Sequence, residues 1–105
     1  MKPMNIDCDI HSISEADLKN YELIDIREAD EIKDWPALKP CRHIPFSEFP
    51  LNKDKFDKNK SYLLFCAQGG RSHFMAQALT KEGYQTLSIN NGIASVNAYL
   101  KEINS

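Results

Sequence analysis

The feature that most constrains the fold is a sharp change of pattern in the second half of the chain. Residues 63–65 (LLF) form an uninterrupted apolar run, which is typical of a strand buried on both faces, and the run stops at Cys66. Gly69 and Gly70 follow. Beyond them apolar residues recur at helical spacing until Gly83, which is expected to end the helix as a left-handed cap. The predicted order is therefore a buried strand, a cysteine, a glycine loop and a helix.

The glycine loop has the features of an anion-binding turn. A tight loop that enters a helix points several N–H groups at one spot, and the helix dipole adds partial positive charge there. Gly69 and Gly70 would allow positive φ and close approach of a ligand, and Arg71 adds a permanent cation. A thiol over such a loop should have a lowered pKa, so Cys66 is the candidate nucleophile. The alternative is that Cys66 is a small buried residue at the end of a strand.

Four segments together resemble a known family. Residues 66–72 (CAQGGRS) resemble the active-site loop of rhodanese-like domains, in which a cysteine is followed by two variable residues, glycine, one variable residue, arginine and serine. Residues 23–28 resemble the second-strand signature of that family. Residues 43–45 and 47–49 resemble its third strand and next helix, and residues 90–93 stand where it usually has a double glycine. The ordered set is more specific than any one segment.

The resemblance implies both a fold and a site. The fold is α/β, with a mainly parallel central sheet of about five strands and helices on both faces, and the alternation of strands with short helices favours the same architecture. One domain is expected over residues 1–105. By resemblance, Cys66 and Arg71 are the catalytic residues, and the carboxyl end of a parallel strand places Asp25 and Arg27 near them as supporting residues. The substrate-binding loop would comprise Ala67, Gln68, Gly69, Gly70 and Ser72.

Several element boundaries can be predicted around this centre. We expect a first strand over residues 8–13, a helix capped by Ser14, a second strand over residues 21–27 and a helical segment over residues 28–34. Residues 36–41 depart from the family pattern. Trp35 before them is expected to cover the core, and a partner-facing aromatic is the alternative. The last helix should bury one apolar face, formed by Ile93, Val96, Leu100 and Ile103.

Composition argues against several classes of function. The formal net charge of −2 gives no reason to propose a nucleic acid or an anionic membrane as a partner, and no apolar run is long enough to span a bilayer. Cys8, Cys41 and Cys66 are odd in number and lack CxxC spacing, which is atypical of a disulfide framework or a zinc site. Cys41 and His43 are only two residues apart, but no other ligand-type residues cluster near them in the sequence. A metal site or a Cys–His catalytic pair is therefore not favoured there. We expect a cytoplasmic monomer with reduced thiols and no metal or organic cofactor.

The resemblance implies sulfur transfer as the activity. A Cys66 thiolate would take sulfane sulfur from a donor, hold it as a persulfide and pass it to an acceptor, while Arg71 would help to hold the loop and orient the donor. The partners would be small-molecule sulfur donors and acceptors or a persulfide on a partner protein. Because Ala67 and Gln68 are not basic, Arg71 is the only cation of the loop. A dianion such as thiosulfate should then bind weakly, which makes a persulfide a plausible donor.

Two other functions stay open at this point. A phosphatase or arsenate reductase could use the same kind of loop, but related phosphatase families place one more residue between cysteine and arginine than the four present here, residues 67–70. A non-catalytic interaction module, or a domain that only carries sulfur between two protein partners, is the second alternative. Retention of Cys66 together with Arg71 argues against simple loss of activity.

Overall fold

The computed structural model describes residues 5–38 and 40–104 and is built on a five-stranded sheet with the strand order β1-β5-β4-β2-β3. Every neighbouring pair of these strands is parallel. The strands are β1 (Asp7–Cys8), β2 (Tyr21–Asp25), β3 (Arg42–His43), β4 (Ser61–Phe65) and β5 (Gln85–Ile89). The prediction of an α/β fold on a mainly parallel sheet is confirmed.

The helices of the described chain are α1 (Glu15–Leu18), α2 (Ala29–Asp34), α3 (Gly70–Lys81) and α4 (Gly92–Ile103). Short 3₁₀ turns lie at Ile10–Ser12, Phe46–Glu48 and Lys53–Lys55. Among the described residues, no helix combines the length and the apolar character that crossing a membrane requires.

The central strand β4 separates two apolar cores because successive side chains of a strand point to opposite faces. Leu64 packs in the core on the α3 side, together with Met75 and Leu79. Leu63 and Phe65 pack in the other core, which contains the buried face of α4. Both faces of the sheet are therefore covered, which explains why residues 63–65 read as one continuous apolar run rather than as an alternating one.

The end of α3 follows the predicted cap. Gly83 has a φ of 98°, and its N–H donates to the Thr80 carbonyl at 3.1 Å. The Tyr84 N–H donates to the Leu79 carbonyl at 3.1 Å. These two bonds form the Schellman pattern, in which glycine removes the steric cost of the left-handed residue.

Other predicted boundaries need correction. The first strand is not residues 8–13: β1 is Asp7–Cys8, and Ile10–Ser12 forms a 3₁₀ turn because the Asp9 carboxylate accepts the His11 N–H at 3.0 Å. The second strand ends at Asp25 rather than at residue 27, and the segment after β3 is a 3₁₀ turn. Competition from local side-chain bonds is a known reason for such shortening of strands.

The loop after α2 also differs from the prediction. The Trp35 side chain is 50% exposed rather than covering the core, although its carbonyl is held by Arg27 Nη2 at 2.8 Å. Asn97 of α4 secures the next residues: its Nδ2 donates to the Pro36 carbonyl at 3.0 Å, and its Oδ1 accepts the Leu38 N–H at 2.9 Å. The backbone at residues 35–38 is thus fixed by side chains from two directions.

The turn between β5 and α4 lies directly against Cys66. Asn91 has a φ of 63° and Gly92 a φ of 54°, and the Ile93 N–H donates to the Cys66 carbonyl at 2.9 Å. A Cβ atom on Gly92 would lie 2.2 Å from the Cys66 carbonyl oxygen and 2.5 Å from that of Ala67. Only glycine therefore fits at position 92, whereas asparagine at position 91 adopts a conformation that it tolerates better than most residues.

Replacing Gly92 should damage both the fold and the site beside it. We expect Gly92→Ala to lower the free energy of unfolding by at least about 2 kcal/mol, because both the positive φ and the clash with backbone oxygens must be relieved. Asn91→Gly is the matched control, and we expect it to change stability by less than about 1 kcal/mol. Urea unfolding measures both. Equal stability of Gly92→Ala and the wild type would contradict the close approach.

Candidate active site

Cys66 follows the last residue of β4, at the carboxyl edge of the sheet, and is 2% exposed. Its Sγ accepts the Gly69 N–H at 3.1 Å and lies 3.5 Å from Ser72 Oγ. The sulfur is therefore surrounded by the loop that starts α3, as the sequence predicted. The arrangement can stabilise negative charge on sulfur because the donors come from the first turn of a helix.

Burial and hydrogen bonding act in opposite directions on this thiol. Burial raises the pKa of Cys66, whereas the Ser72 hydroxyl and the backbone N–H groups of Ser72, Gly69 and Gln68 lower it. The hydrogen bonds prevail, so the pKa of Cys66 lies below that of an ordinary thiol. The loop therefore favours the thiolate form of Cys66 more than the surroundings of an ordinary cysteine would.

The two loop glycines have different roles. Gly69 has a φ of 130°, a conformation that side chains rarely adopt, and this geometry aims its N–H at the sulfur. Gly70 is the first residue of α3, is not among the residues with positive φ, and has open space where a Cβ would lie. Of the two glycines expected to allow positive φ, Gly69 therefore adopts it and Gly70 does not.

Arg71 binds the carboxylate of Glu31 in α2. Its Nη1 and Nη2 donate to the two carboxylate oxygens at 2.6 and 2.8 Å, a bidentate pair with both side chains about one-third exposed. Hydrogen bonding to Arg71 lowers the pKa of Glu31 to about 2, and the same pair raises the pKa of Arg71. Glu31 also accepts the Glu28 N–H at 3.1 Å.

Sequence reasoning did not find Glu31. The sequence predicts a charged helical segment over residues 28–34, but its pattern assigns no residue of that segment to the site. The available signal was the isolated cation of the loop, since a partly buried arginine usually has a carboxylate partner.

Asp25 and Arg27 form a buried ion pair, each 2% exposed. Arg27 Nη2 lies 2.9 Å from Asp25 Oδ2, and the Arg27 guanidinium also donates to the carbonyls of Glu31 and Trp35. Asp25 and Arg27 thus pair with each other and also hold α2, whose Glu31 binds the loop arginine. Their connection to the loop is indirect.

The remaining loop residues are placed around this centre. Ala67 presents its carbonyl to Gly92, and Gln68 is exposed. Ser72 is fully buried. Gly69 and Ser72 therefore contact the Cys66 sulfur, whereas the Arg71 side chain is bound by Glu31 of α2.

A sequence model of the rhodanese-like domain matches residues 12–99, most of the chain. The chain belongs to the rhodanese-like domain family. The Bacillus subtilis protein named "Putative sulfurtransferase YtwF" is 32% identical over 79 residues, which cover 75% of each chain. A tRNA sulfurtransferase of Vibrio vulnificus is 33% identical over 70 residues, 64% of this chain but only 14% of that protein's length.

A solved structure shows the same rhodanese-like fold. The rhodanese-related protein from Thermoplasma volcanium superposes with a TM-score of 0.68 at 27% identity, over 83% of this chain and 87% of the other.

The other cysteines and histidines of this rhodanese-like domain have different surroundings. Burial raises the pKa of Cys41 to about 12, and burial also raises the pKa of Cys8. His43 Nε2 donates to the Arg27 carbonyl at 2.6 Å, and His73 Nδ1 lies 2.9 Å from Asp7 Oδ1 at the surface. Within residues 5–38 and 40–104, no three His, Cys, Asp or Glu side chains group as a metal site would require.

Alkylation should separate the three thiols by pH. We expect the Cys66 reaction with iodoacetamide to reach half its maximal rate at a lower pH than that of Cys8 or Cys41, because only Cys66 has a lowered pKa. Rates are measured on variants that each retain one cysteine. The midpoint is compared rather than the maximal rate, since the thiols differ in exposure. A Cys66 midpoint equal to that of Cys8 would refute the stabilised thiolate.

The Arg71–Glu31 pair should make stability depend on acid pH. Because the pKa of Glu31 falls from 4.5 to about 2 on folding, its contribution is complete above about pH 4.5 and is lost as the pH falls toward 2. Glu31→Gln should therefore lower the free energy of unfolding at pH 7 by about 0.5–1 kcal/mol and have little effect near pH 2. Urea unfolding at several pH values measures this.

Glu82→Gln, in the exposed Lys53–Glu82 pair, is the matched control for Glu31→Gln and should change stability less. A loss in Glu31→Gln that is equal at pH 7 and pH 2 would mean that the carboxylate charge is not what holds the two helices.

Proposed function

We propose that this domain is a sulfurtransferase that carries sulfane sulfur as a persulfide on Cys66. The observation that carries the proposal is the Gly69 N–H at 3.1 Å from Cys66 Sγ, at the start of α3. A buried sulfur with donors from a helix N-terminus is suited to alternate between a thiolate and a persulfide anion. The B. subtilis relative, which is named a putative sulfurtransferase, supports the same reaction class.

The reaction has two displacement steps on sulfur. In the first, the Cys66 thiolate attacks the outer sulfur of a donor R–S–S⁻, a new S–S bond forms, and R–S⁻ leaves with the electron pair of the broken bond. In the second, a nucleophilic acceptor attacks the outer sulfur of Cys66–S–S⁻, and the Cys66 thiolate is released. Atoms and electrons balance without an external oxidant or reductant.

The loop would act on both anions. The N–H groups that lower the pKa of Cys66 lie within the loop, so they are in place before the donor arrives. The outer sulfur of the persulfide must extend from the buried Cys66 toward the loop surface, where Gln68 is exposed. Ala67, Gln68, Gly69, Gly70 and Ser72 would accordingly form the substrate-binding loop.

The charge around the loop favours a persulfide donor over thiosulfate. Arg71 is bound in bidentate fashion by Glu31, so its charge is largely neutralised by a neighbour. Thiosulfate carries two negative charges and would gain little from a cation that is already paired. A low-molecular-weight persulfide or a persulfide on a partner protein makes less demand on free positive charge. In this proposal Arg71 acts by holding the loop against α2.

Mass spectrometry of the intact protein tests the reaction. Incubation with glutathione persulfide should add the mass of one sulfur atom to Cys66, and cyanide should then remove it as thiocyanate, because cyanide attacks sulfane sulfur. Thiosulfate at the same concentration should load less. Cys66→Ser should fold with an unchanged circular dichroism spectrum and carry no added sulfur.

Cys8→Ser and Cys41→Ser are the matched controls and should both retain loading, because neither thiol has a lowered pKa. Sulfur on Cys8 or Cys41 instead of Cys66 would overturn the assignment. Hydrolysis of an aryl phosphate that depends on Cys66, without sulfur loading, would favour the phosphatase alternative. If the protein showed neither sulfur loading nor phosphate hydrolysis, a docking module would be favoured. If Cys66 were loaded but no small acceptor removed the sulfur, a carrier of sulfur between proteins would be favoured.

A further inference from the structure

Two buried hydroxyls lie one behind the other beneath the Cys66 sulfur. Ser72 of α3 is fully buried and its Oγ lies 3.5 Å from Cys66 Sγ. Ser88 of β5 is 1% exposed and its Oγ lies 2.7 Å from Ser72 Oγ. Ser88 does not approach the sulfur itself, and nothing in the reaction described above uses it.

The direction of the bond between the two serines follows from counting protons. Among the described residues, the Ser88 hydroxyl has Ser72 as its hydrogen-bond partner. If Ser72 donated to Ser88, the Ser88 proton would be left buried without an acceptor. Buried polar groups of this kind are strongly disfavoured. The Ser88 hydroxyl therefore donates to Ser72, and the single proton of Ser72 must point elsewhere.

Two acceptors compete for the Ser72 proton. The Gly69 carbonyl oxygen lies 3.1 Å from Ser72 Oγ, and the Cys66 sulfur lies 3.5 Å away. The Gly69 carbonyl already accepts the His73 N–H at 2.9 Å, the first helical bond of α3. It is therefore satisfied when the Ser72 hydroxyl rotates away from it, and a charged sulfur is the stronger acceptor of the two.

We propose that Ser88 is a positioning residue for the sulfur chemistry of Cys66: by donating to Ser72, it fixes the Ser72 oxygen and strengthens the bond that Ser72 donates to the anionic sulfur. The thiol form needs no such help, because its S–H can donate to Ser72 while Ser72 donates to Gly69. Ser88 thus stabilises the anion relative to the thiol without touching it. The inference concerns the same sulfur as the proposed function and rests on that function only for its catalytic consequence.

In the described part of the chain, no side-chain hydrogen bond or ion pair joins Ser88 to the charged groups at this end of the sheet. They are Arg71 with Glu31, the Asp25–Arg27 pair and the surface pair of His73 with Asp7. Asp7 is the backbone neighbour of Ser88 in the β1–β5 pairing, but its side chain binds His73. A change in Cys66 titration on removal of the Ser88 hydroxyl would therefore report on the hydroxyl pair.

The pH profile of Cys66 alkylation tests the proposal, measured in a Cys8→Ser, Cys41→Ser background. Ser88→Ala should slow the reaction with iodoacetamide about three- to tenfold at pH values below the thiol pKa, and the rates should converge at high pH where every variant is a thiolate. A structural defect would lower the rate, or raise it, at all pH values alike. Unchanged rates at low pH, or a uniform change across the profile, would overturn the proposal.

Thr86→Val is the matched control on the same face of β5. The Thr86 hydroxyl is buried and lies 3.0 Å from the Ala76 carbonyl, away from Cys66, so its removal should leave the midpoint of the profile unchanged. A double-mutant cycle checks the route. In a Ser72→Ala background, Ser88→Ala should cause no further shift, whereas an undiminished effect would show that Ser88 does not act through Ser72.

The alkylation profile does not require sulfur transfer. A protein that shows the Ser88 effect but never loads sulfur would refute the proposed function and leave the positioning role standing. A protein that loads sulfur on Cys66, but whose Ser88→Ala variant has an unshifted alkylation profile, would support the proposed function and refute the positioning role.

Discussion

Cys66 is held at both of its polar ends by the start of a helix, and the rest of the structure depends on this double attachment. The Gly69 N–H before α3 binds its sulfur, and the Ile93 N–H of α4 binds its carbonyl. The two helices lie on opposite faces of the sheet, so both cores must form before the residue is fixed. This arrangement requires glycine at two positions: at 69, where φ is positive, and at 92, where the backbone lies against the carbonyls of Cys66 and Ala67.

A second layer fixes the loop from the side of α2. The buried Asp25–Arg27 pair ties the end of β2 to α2 through the Glu31 and Trp35 carbonyls, and the Glu31 side chain then binds Arg71. Ser88 supports the loop from β5 in a comparable way, by orienting a group that touches the sulfur. The surroundings of Cys66 are thus set largely by residues that do not contact it.

Sequence reasoning could identify the parts of the fold that depend on local pattern. Neighbouring residues determine the buried strand at residues 63–65, the cap at Gly83 and the strand–loop–helix order. These three predictions are confirmed. The role of Glu31 could not be derived in this way, since Arg71 lies 40 residues away and their contact exists only after the sheet forms. The exposed position of Trp35 could not be derived either, because the two residues after it and Leu38 follow a path that depends on Asn97, about 60 residues away.

The two ion pairs that flank α2 respond differently to dissolved salt. Counterions screen charges that water can reach, and the Arg71–Glu31 pair is about one-third exposed. The Asp25–Arg27 pair is almost wholly enclosed and is screened much less. As ionic strength rises, the Asp25–Arg27 pair therefore keeps α2 attached to the sheet, whereas the Arg71–Glu31 pair between α2 and the Cys66 loop weakens. The loop should loosen at salt concentrations that leave the fold intact.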